Sequence, residues 1–178
     1  MTEHLLEHGH DRIGFITGSR NQAASANRLS GYRAALAGAG LSYDRQLVAR
    51  GEFTYRSGAA AASRLLALEP RPSAIFASND DMAAATVAEA HKVGLDVPRD
   101  LSVVGFDDTS IASTIWPQLT TIRQPIAEMA KLAVDLLIDG LRDRRRGRRA
   151  RVEHRVVPYA FVARGSVANI AKANVAAD

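Results

Sequence analysis

Ser73-Ala74-Ile75-Phe76-Ala77-Ser78-Asn79-Asp80-Asp81-Met82-Ala83 is the stretch on which the fold turns. Its first half is a short apolar run with the length of a buried strand. Its second half opens an Ala-rich helix, Met82 to Val93, with Asp80 expected as N-cap and Gly94 as stop. A strand that feeds directly into a helix is half of a β-α-β unit. The same alternation extends in both directions. Upstream, Ile13 to Thr17 reads as a strand, Ala26 to Ala39 as a helix, Gln46 to Ala49 as a weaker apolar run, and Ser57 to Leu68 as a helix capped by Ser57. Downstream, Leu101 to Phe106 and Leu119 to Ile122 read as strands. Pro125 then fits the first turn of a helix running to about Leu141. The apolar stripe of that helix is Ile126, Met129, Ala130, Ala133, Leu136 and Leu137. Val152 to Ala163 reads as a last strand, and the residues from Ser166 as a frayed tail.

Strands alternating with helices predict an α/β fold, a Rossmann-like three-layer sandwich around a mostly parallel sheet. In such sheets ligands bind beyond the carboxyl ends of the strands. Polar residues gather there in this sequence: Ser19 and Arg20, Glu52, Asn79 and Asp80, Asp107 and Asp108. Their convergence points to a small polar ligand held by hydrogen-bond donors and acceptors.

Composition narrows the classes. The 178 residues suit one domain or one and a half, and 47% hydrophobic residues suffice for a core. Cysteine is absent, which removes disulfides, thiolate zinc sites and cysteine nucleophiles. No apolar run is long enough to span a membrane, and Thr2-Glu3-His4 does not open like a secretory signal, so a cytoplasmic protein is expected. The net charge of +4 is local. Residues 142–151 hold seven arginines against one aspartate, and the remaining 16 basic and 18 acidic residues leave the rest at −2. A solvated loop, not a basic DNA-binding face, is the reading.

The strand-end blocks resemble a known family. Gly9-His10-Asp11-Arg12-Ile13-Gly14-Phe15-Ile16 is similar to the "GHRRIGFI" entry into the second half of a LacI-type repressor's effector domain. Arg28-Leu29-Ser30-Gly31-Tyr32-Arg33-Ala34-Ala35-Leu36 resembles the helix that follows. Ala74 to Ala83, Asp100 to Asp108, and Leu119 to Pro125 resemble its "AIFAxND-MA", "D-SVVGFDD" and "LTTIRQP" blocks. In order and at family spacing, the blocks cover about His4 to Ser166.

The resemblance implies a type I periplasmic-binding-protein-like fold, in which two Rossmann-like subdomains clasp a sugar or nucleobase-like effector. It implies that residues 1–124 form the second subdomain. Residues 125–141 would be a helix of the first subdomain, 142–151 an Arg-rich loop, 152–165 a returning strand and 166–178 a tail. The helix-turn-helix and most of the first subdomain are expected to be missing from this chain. DNA would then be bound only through that missing part, and the wall of the cleft present here would bind ligand weakly or not at all by itself. The apolar stripe of the 125–141 helix would need another surface, because leaving several large side chains wet costs several kcal/mol. Homodimer contacts or an exchanged helix are the expectation.

The resemblance assigns ligand contacts to Arg28, Phe53, Asn79, Asp107 and Gln124. Arg28 would fork onto a hydroxyl, carboxylate or base edge, against the alternative of a solvated helix arginine. Asp107 would accept hydroxyls or a base N–H, with a turn or cap role as the alternative. Asp108 is expected to cap or face solvent. Asn79 can donate and accept at once, or satisfy local backbone. Phe53 would stack on a ligand ring, or belong to ordinary core. Gln124 would reach the cleft from the hinge.

Two other functions compete. A solute-binding protein of a sugar transporter shares the fold. His4-Leu5-Leu6-Glu7-His8 spells the H-x-x-E-H of a zinc hydrolase, but lacks a third ligand and reads equally as a helix leading into the first strand. Phosphate-binding loops and nucleophile elbows are absent from the sequence. The reading is a binding protein with no catalytic residue, no metal and no cofactor.

Overall fold

The computed structural model describes residues 1–147 and 153–171. The elements are α1 (Thr2–Glu7), β1 (Ile13–Thr17), α2 (Ala23–Gly38), β2 (Val48–Arg50), α3 (Tyr55–Leu66), β3 (Ala74–Ala77), α4 (Asp80–Lys92), β4 (Ser102–Val104), α5 (Ser110–Thr114), β5 (Thr121–Arg123), α6 (Ile126–Arg145) and β6 (Ala160–Val162). The first four strands form one parallel sheet in the order β2-β1-β3-β4. Phe15 stands beside Phe76 and Val48 in the register. β5 runs alongside β4 through two parallel bridges, Val104 with Thr120 and Asp107 with Arg123.

The alternation of side chains along each strand sorts the core into two layers. Ile13, Phe15, Ala74 and Phe76 point to one face and pack with Leu5, Tyr32 and Leu36 from α1 and α2. Ile16, Ile75 and Ala77 point to the other and pack with Leu65 and Met82 from α3 and α4. The expected three-layer α/β architecture follows. In the first layer Phe15 stacks on Tyr32 at 4.9 Å and meets Phe76 edge-on at 5.2 Å. The buried Tyr32 hydroxyl donates to Ile13 O at 2.8 Å, and burial pushes its pKa up to about 12.

Several local expectations are corrected. α3 begins at Tyr55, with Thr54 as its cap. Thr54 Oγ1 accepts from Ser57 N, and Ser57 Oγ accepts from Thr54 N, a capping box in which Ser57 takes the third helical position. The cap of α4 is Asn79, whose side chain accepts from Met82 N at 3.1 Å, so Asp80 is free for another task. α6 continues past Leu141 to Arg145, which places Arg142, Arg144 and Arg145 in a helical last turn, where cations meet the negative end of the dipole. The rest of the Arg-rich run, from Arg148, lies outside the described residues. Of the strand expected over 152–163, residues 160–162 form β6, antiparallel to β5.

The segment from Ser166 to Ala171 is fastened, not frayed. Ser166 is fully buried, donates to Val103 O at 2.6 Å and accepts from Thr120 N at 2.8 Å. Ser102 Oγ accepts from Ala168 N, and Ile170 N donates to His8 O. Buried His10 bridges Ser73 Oγ and Ala168 O. These contacts line the edge of the sheet where β1, β3 and β4 begin.

α6 is different. None of its residues is buried, and Ile126, Leu137 and Leu141 are more than half exposed. A cleft of about 560 Å³ separates its Met129, Leu132 and Leu136 from Val156, Val157 and Tyr159. Among the described residues no helix is long and apolar enough to cross a membrane.

Candidate functional site

Strand order places the site. β1 and β3 are neighbours whose onward connections leave in opposite directions, so a crevice opens beyond their carboxyl ends. Arg28 enters it from the second turn of α2. Its Nη1 donates to Ser78 O at 2.7 Å, just past β3. Its Nη2 reaches Asp107 Oδ1 at 3.4 Å, and its guanidinium lies 3.8 Å over the Phe106 ring. Gln124 Nε2 donates to the same Asp107 oxygen at 2.6 Å. The Phe53 ring stands 5.6 Å from the Arg28 guanidinium carbon.

Backbone geometry at this edge is unusual. Phe53, Asp107 and Asp108 are the three non-glycine residues with positive φ, at 60°, 114° and 57°, among the described residues. Such conformations cost about 1–3 kcal/mol each and persist where surrounding contacts enforce them. For Phe53 the enforcement is visible. Its ring covers Gly18, where a Cβ would lie 2.0 Å from the ring, and Asn79 Nδ2 donates to its carbonyl at 3.1 Å. For Asp107 the backbone N–H donates to Ile122 O at 2.8 Å.

Burial sets the electrostatics. It pulls the Arg28 pKa down against the opposing pull of Asp107 and Asp80. It pushes the Asp107 pKa up against Arg28 and Gln124. Both charged forms are therefore under-solvated, a state in which an incoming hydrogen-bonding ligand adds solvation that the protein alone does not supply.

The expected site residues thus fall into groups. Arg28, Asp107 and Gln124 form one hydrogen-bonded set, and Phe53 stands beside it. Asn79 has both side-chain ends engaged, one capping α4 and one holding Phe53. Asp108, expected to cap or face solvent, is corrected: it accepts from Arg123 Nε and Arg164 Nη2, each at 2.6 Å, with its side chain only 7% exposed. Burial raises its pKa, but the two arginine hydrogen bonds hold it below the ordinary carboxylate value. Phe106 and Arg164 are parts of this edge that the sequence reading does not include, and Asp80, expected there as a cap, instead accepts from Thr109 and Thr121. An aromatic directly before the strand-end Asp107 was a usable signal for Phe106. Arg164 lies 56 residues from Asp108 and carries no local signal.

Two clefts meet at Phe106. One, of about 420 Å³, is lined by Arg28, Tyr32, Ile122 and Tyr159, and the other is the α6 cleft, which includes Gln124. The H-x-x-E-H stretch runs from His4 within α1 to His8 at its C-cap. His8 Nδ1 lies 2.8 Å from His4 O, and the His4 ring packs 4.7 Å from Phe161. Among the described residues no group of three His, Cys, Asp or Glu could hold a metal ion.

A parallel sheet with polar groups converging at its switch point is the frame of an α/β domain of the binding-protein type, and comparison with known proteins makes the class specific. The profile of the periplasmic binding protein-like domain matches residues 2–167. The chain belongs to that family, and its relatives there are LacI-type transcriptional regulators. It is 42% identical over 138 residues to the transcriptional regulator CelR of Thermobifida fusca, covering 78% of this chain and 41% of CelR. It is 41% identical over 137 residues to the ribose operon repressor of Escherichia coli, covering 77% of this chain and 42% of the repressor. Among solved structures, a CelR–cellobiose complex superposes with a TM-score of 0.84 at 36% identity, over 93% of this chain and 49% of that one. A LacI family regulator from Mycobacterium smegmatis gives 0.85 at 31% identity, over 94% and 61%. The chain spans less than half the length of the curated relatives it matches.

Proposed function

We propose that this chain is the effector-sensing part of a LacI-type transcriptional regulator. The observation that carries the reading is the Arg28–Asp107–Gln124 set at the switch point, flanked by Phe53 and Phe106. A guanidinium and a carboxylate side by side, both short of solvation, offer paired donors and acceptors. Neighbouring sugar hydroxyls, or the edge of a base, need that pairing. The aromatic rings offer a flat face to a ligand ring. Asn79 contributes by holding Phe53 in place. The relatives' names supply the chemistry to try first, cellobiose and ribose.

The reading is of a binding site, in which the Asp107 carboxylate is matched to two donors. Ligand would shift the population of open and closed forms by its differential affinity for them. Contact with DNA would come from another part of a longer protein, working in the cytoplasm. The regulator reading is favoured over the transporter solute-binding protein because the relatives it matches are transcription regulators.

The test is a titration with millimolar cellobiose and ribose followed by NMR, which detects weak binding. Shift changes should centre on Arg28, Asp107 and Gln124 and vanish in Asp107→Ala. Changes centred elsewhere, or surviving that substitution, would overturn the assignment. The reading includes self-association through the apolar stripe of α6. A light-scattering mass that stays at one chain across a wide concentration range would remove that part.

A further inference from the structure

Asp80 is a carboxylate with no exposed surface, sitting beneath the site and unused by any ligand role above. Its two oxygens reach both chain segments that carry the ligand-facing pair. Oδ2 accepts from Thr109 N at 2.7 Å and from Thr109 Oγ1 at 3.2 Å, two residues beyond Asp107. Oδ1 accepts from Thr121 Oγ1 at 2.6 Å, three residues before Gln124. The carboxylate therefore ties the end of the β4 turn to the start of β5. Asp107 and Gln124 project from those two segments and meet at 2.6 Å.

Two further features fit that role. Gly105 packs directly on the carboxylate: a Cβ there would lie 2.3 Å from Asp80 Oδ1. The turn that Asp80 holds contains both positive-φ aspartates, so something must offset the cost of their backbone conformations. Buried charge-assisted hydrogen bonds are strong enough to do so. The position at the first turn of α4 adds favourable interaction with the helix dipole.

We propose that Asp80 is a positioning residue: through Thr109 and Thr121 it sets the register that brings Asp107 and Gln124 into one ligand-facing pair. The proposal rests on the sensing reading of that pair, but its test needs no ligand. The side-chain amide of Gln124 gives its own NMR signals, shifted by the short hydrogen bond to Asp107, and these report the pair directly. In Asp80→Asn the charge is lost and an NH2 replaces one acceptor oxygen, so the bond to Thr121 must reverse its direction and all three bonds lose their charge assistance. The Gln124 side-chain signals should move to the position of a free amide, and the Thr109 amide should exchange roughly tenfold faster. Thr121→Val removes one of the three bonds with little change of shape and serves if Asp80→Asn does not fold. It should move the same Gln124 signals part of the way.

Ser102→Ala is the control, since it removes a hydrogen bond of an equally buried side chain at the opposite edge of the sheet. It should leave the Gln124 signals in place. The proposal is overturned if those signals are unmoved in Thr121→Val and Asp80→Asn, or if Ser102→Ala moves them as far. Failure of the sugar titration with these signals behaving as expected would reject the sensing reading and keep Asp80's role.

Discussion

The two edges of the parallel sheet are both rich in buried polar groups, yet they are built differently. At the edge where the strands begin, the His10 and Ser73 side chains share a neutral hydrogen bond, His10 and Ser102 bond the backbone of Ala168, and Ser166 bonds the backbone of Val103. No side chain in this set carries a formal charge while His10 is neutral, and none of these residues has positive φ. At the edge where the strands end, Arg28, Asp80, Asp107, Asp108 and Arg164 are charged. Three residues there hold left-handed backbone. One edge is satisfied and relaxed. The other holds charges short of solvent on a strained frame. The first arrangement fastens a fold, and the second leaves something for a ligand to complete.

Breaking the charged edge should have the largest effect. Asp108→Ala removes the carboxylate partner of the Arg164 guanidinium, whose side chain is only 15% exposed and which keeps its bond to Leu119 O. Removing one partner of such a pair costs about 3–5 kcal/mol. Arg123, 58% exposed, adds little to that figure. Urea unfolding should show the loss, and a change under 1 kcal/mol would show that the clamp on β5 and the chain after β6 is not stabilising.

Breaking the neutral edge should cost less and spare the site. Ser166→Ala leaves Thr120 N and Val103 O without their partner, at about 2 kcal/mol by the same measurement. The response of Asp107 to sugar should survive. If it is lost as in Asp107→Ala, the division of labour between the edges fails.

Acid distinguishes the edges most finely. Burial lowers the pKa of His10, so the unfolded chain binds its proton more readily. The contribution of His10 is whole above its ordinary value near 6.5 and is lost as pH falls below that value toward the folded one. The contribution of Asp108 is whole above about 3.9 and is lost as pH falls through its depressed folded value. Stability measured against pH should therefore decline in two steps, the neutral edge first. In His10→Gln the upper step should shrink to the part contributed by His4, whose pKa burial also lowers, and the lower step should remain.

Most of the architecture was legible because it rests on periodicity. Each expected strand from Ile13 to Ile122 has a counterpart, since alternating apolar residues must be buried on two faces of a sheet wherever they occur. The misses have a common physical origin. Local pattern favours Ser57 and Asp80 as caps, but the cap at α3 is Thr54 and at α4 is Asn79. Asp80 was then recruited by Thr109 and Thr121, partners 29 and 41 residues away. Ser166 looked like the start of a frayed tail because its partners, Val103 and Thr120, lie far upstream. Arg28, Asp107 and Gln124 were legible as individual residues through the family resemblance. That they share a single carboxylate oxygen is a fact of geometry that no local pattern encodes.

α6 sits at the end of this network. It begins two residues after Gln124 and extends for 20 residues with none of them buried. At 1.5 Å per residue, it is a rod about 30 Å long that starts next to a side chain touching Asp107. A turn of only about ten degrees at Pro125 would carry its far end about 5 Å by that same rise. Because the sheet's core does not hold it, such a turn would disturb no buried packing. A displacement too small to matter at Gln124 becomes, at Arg145, a movement the width of a helical turn.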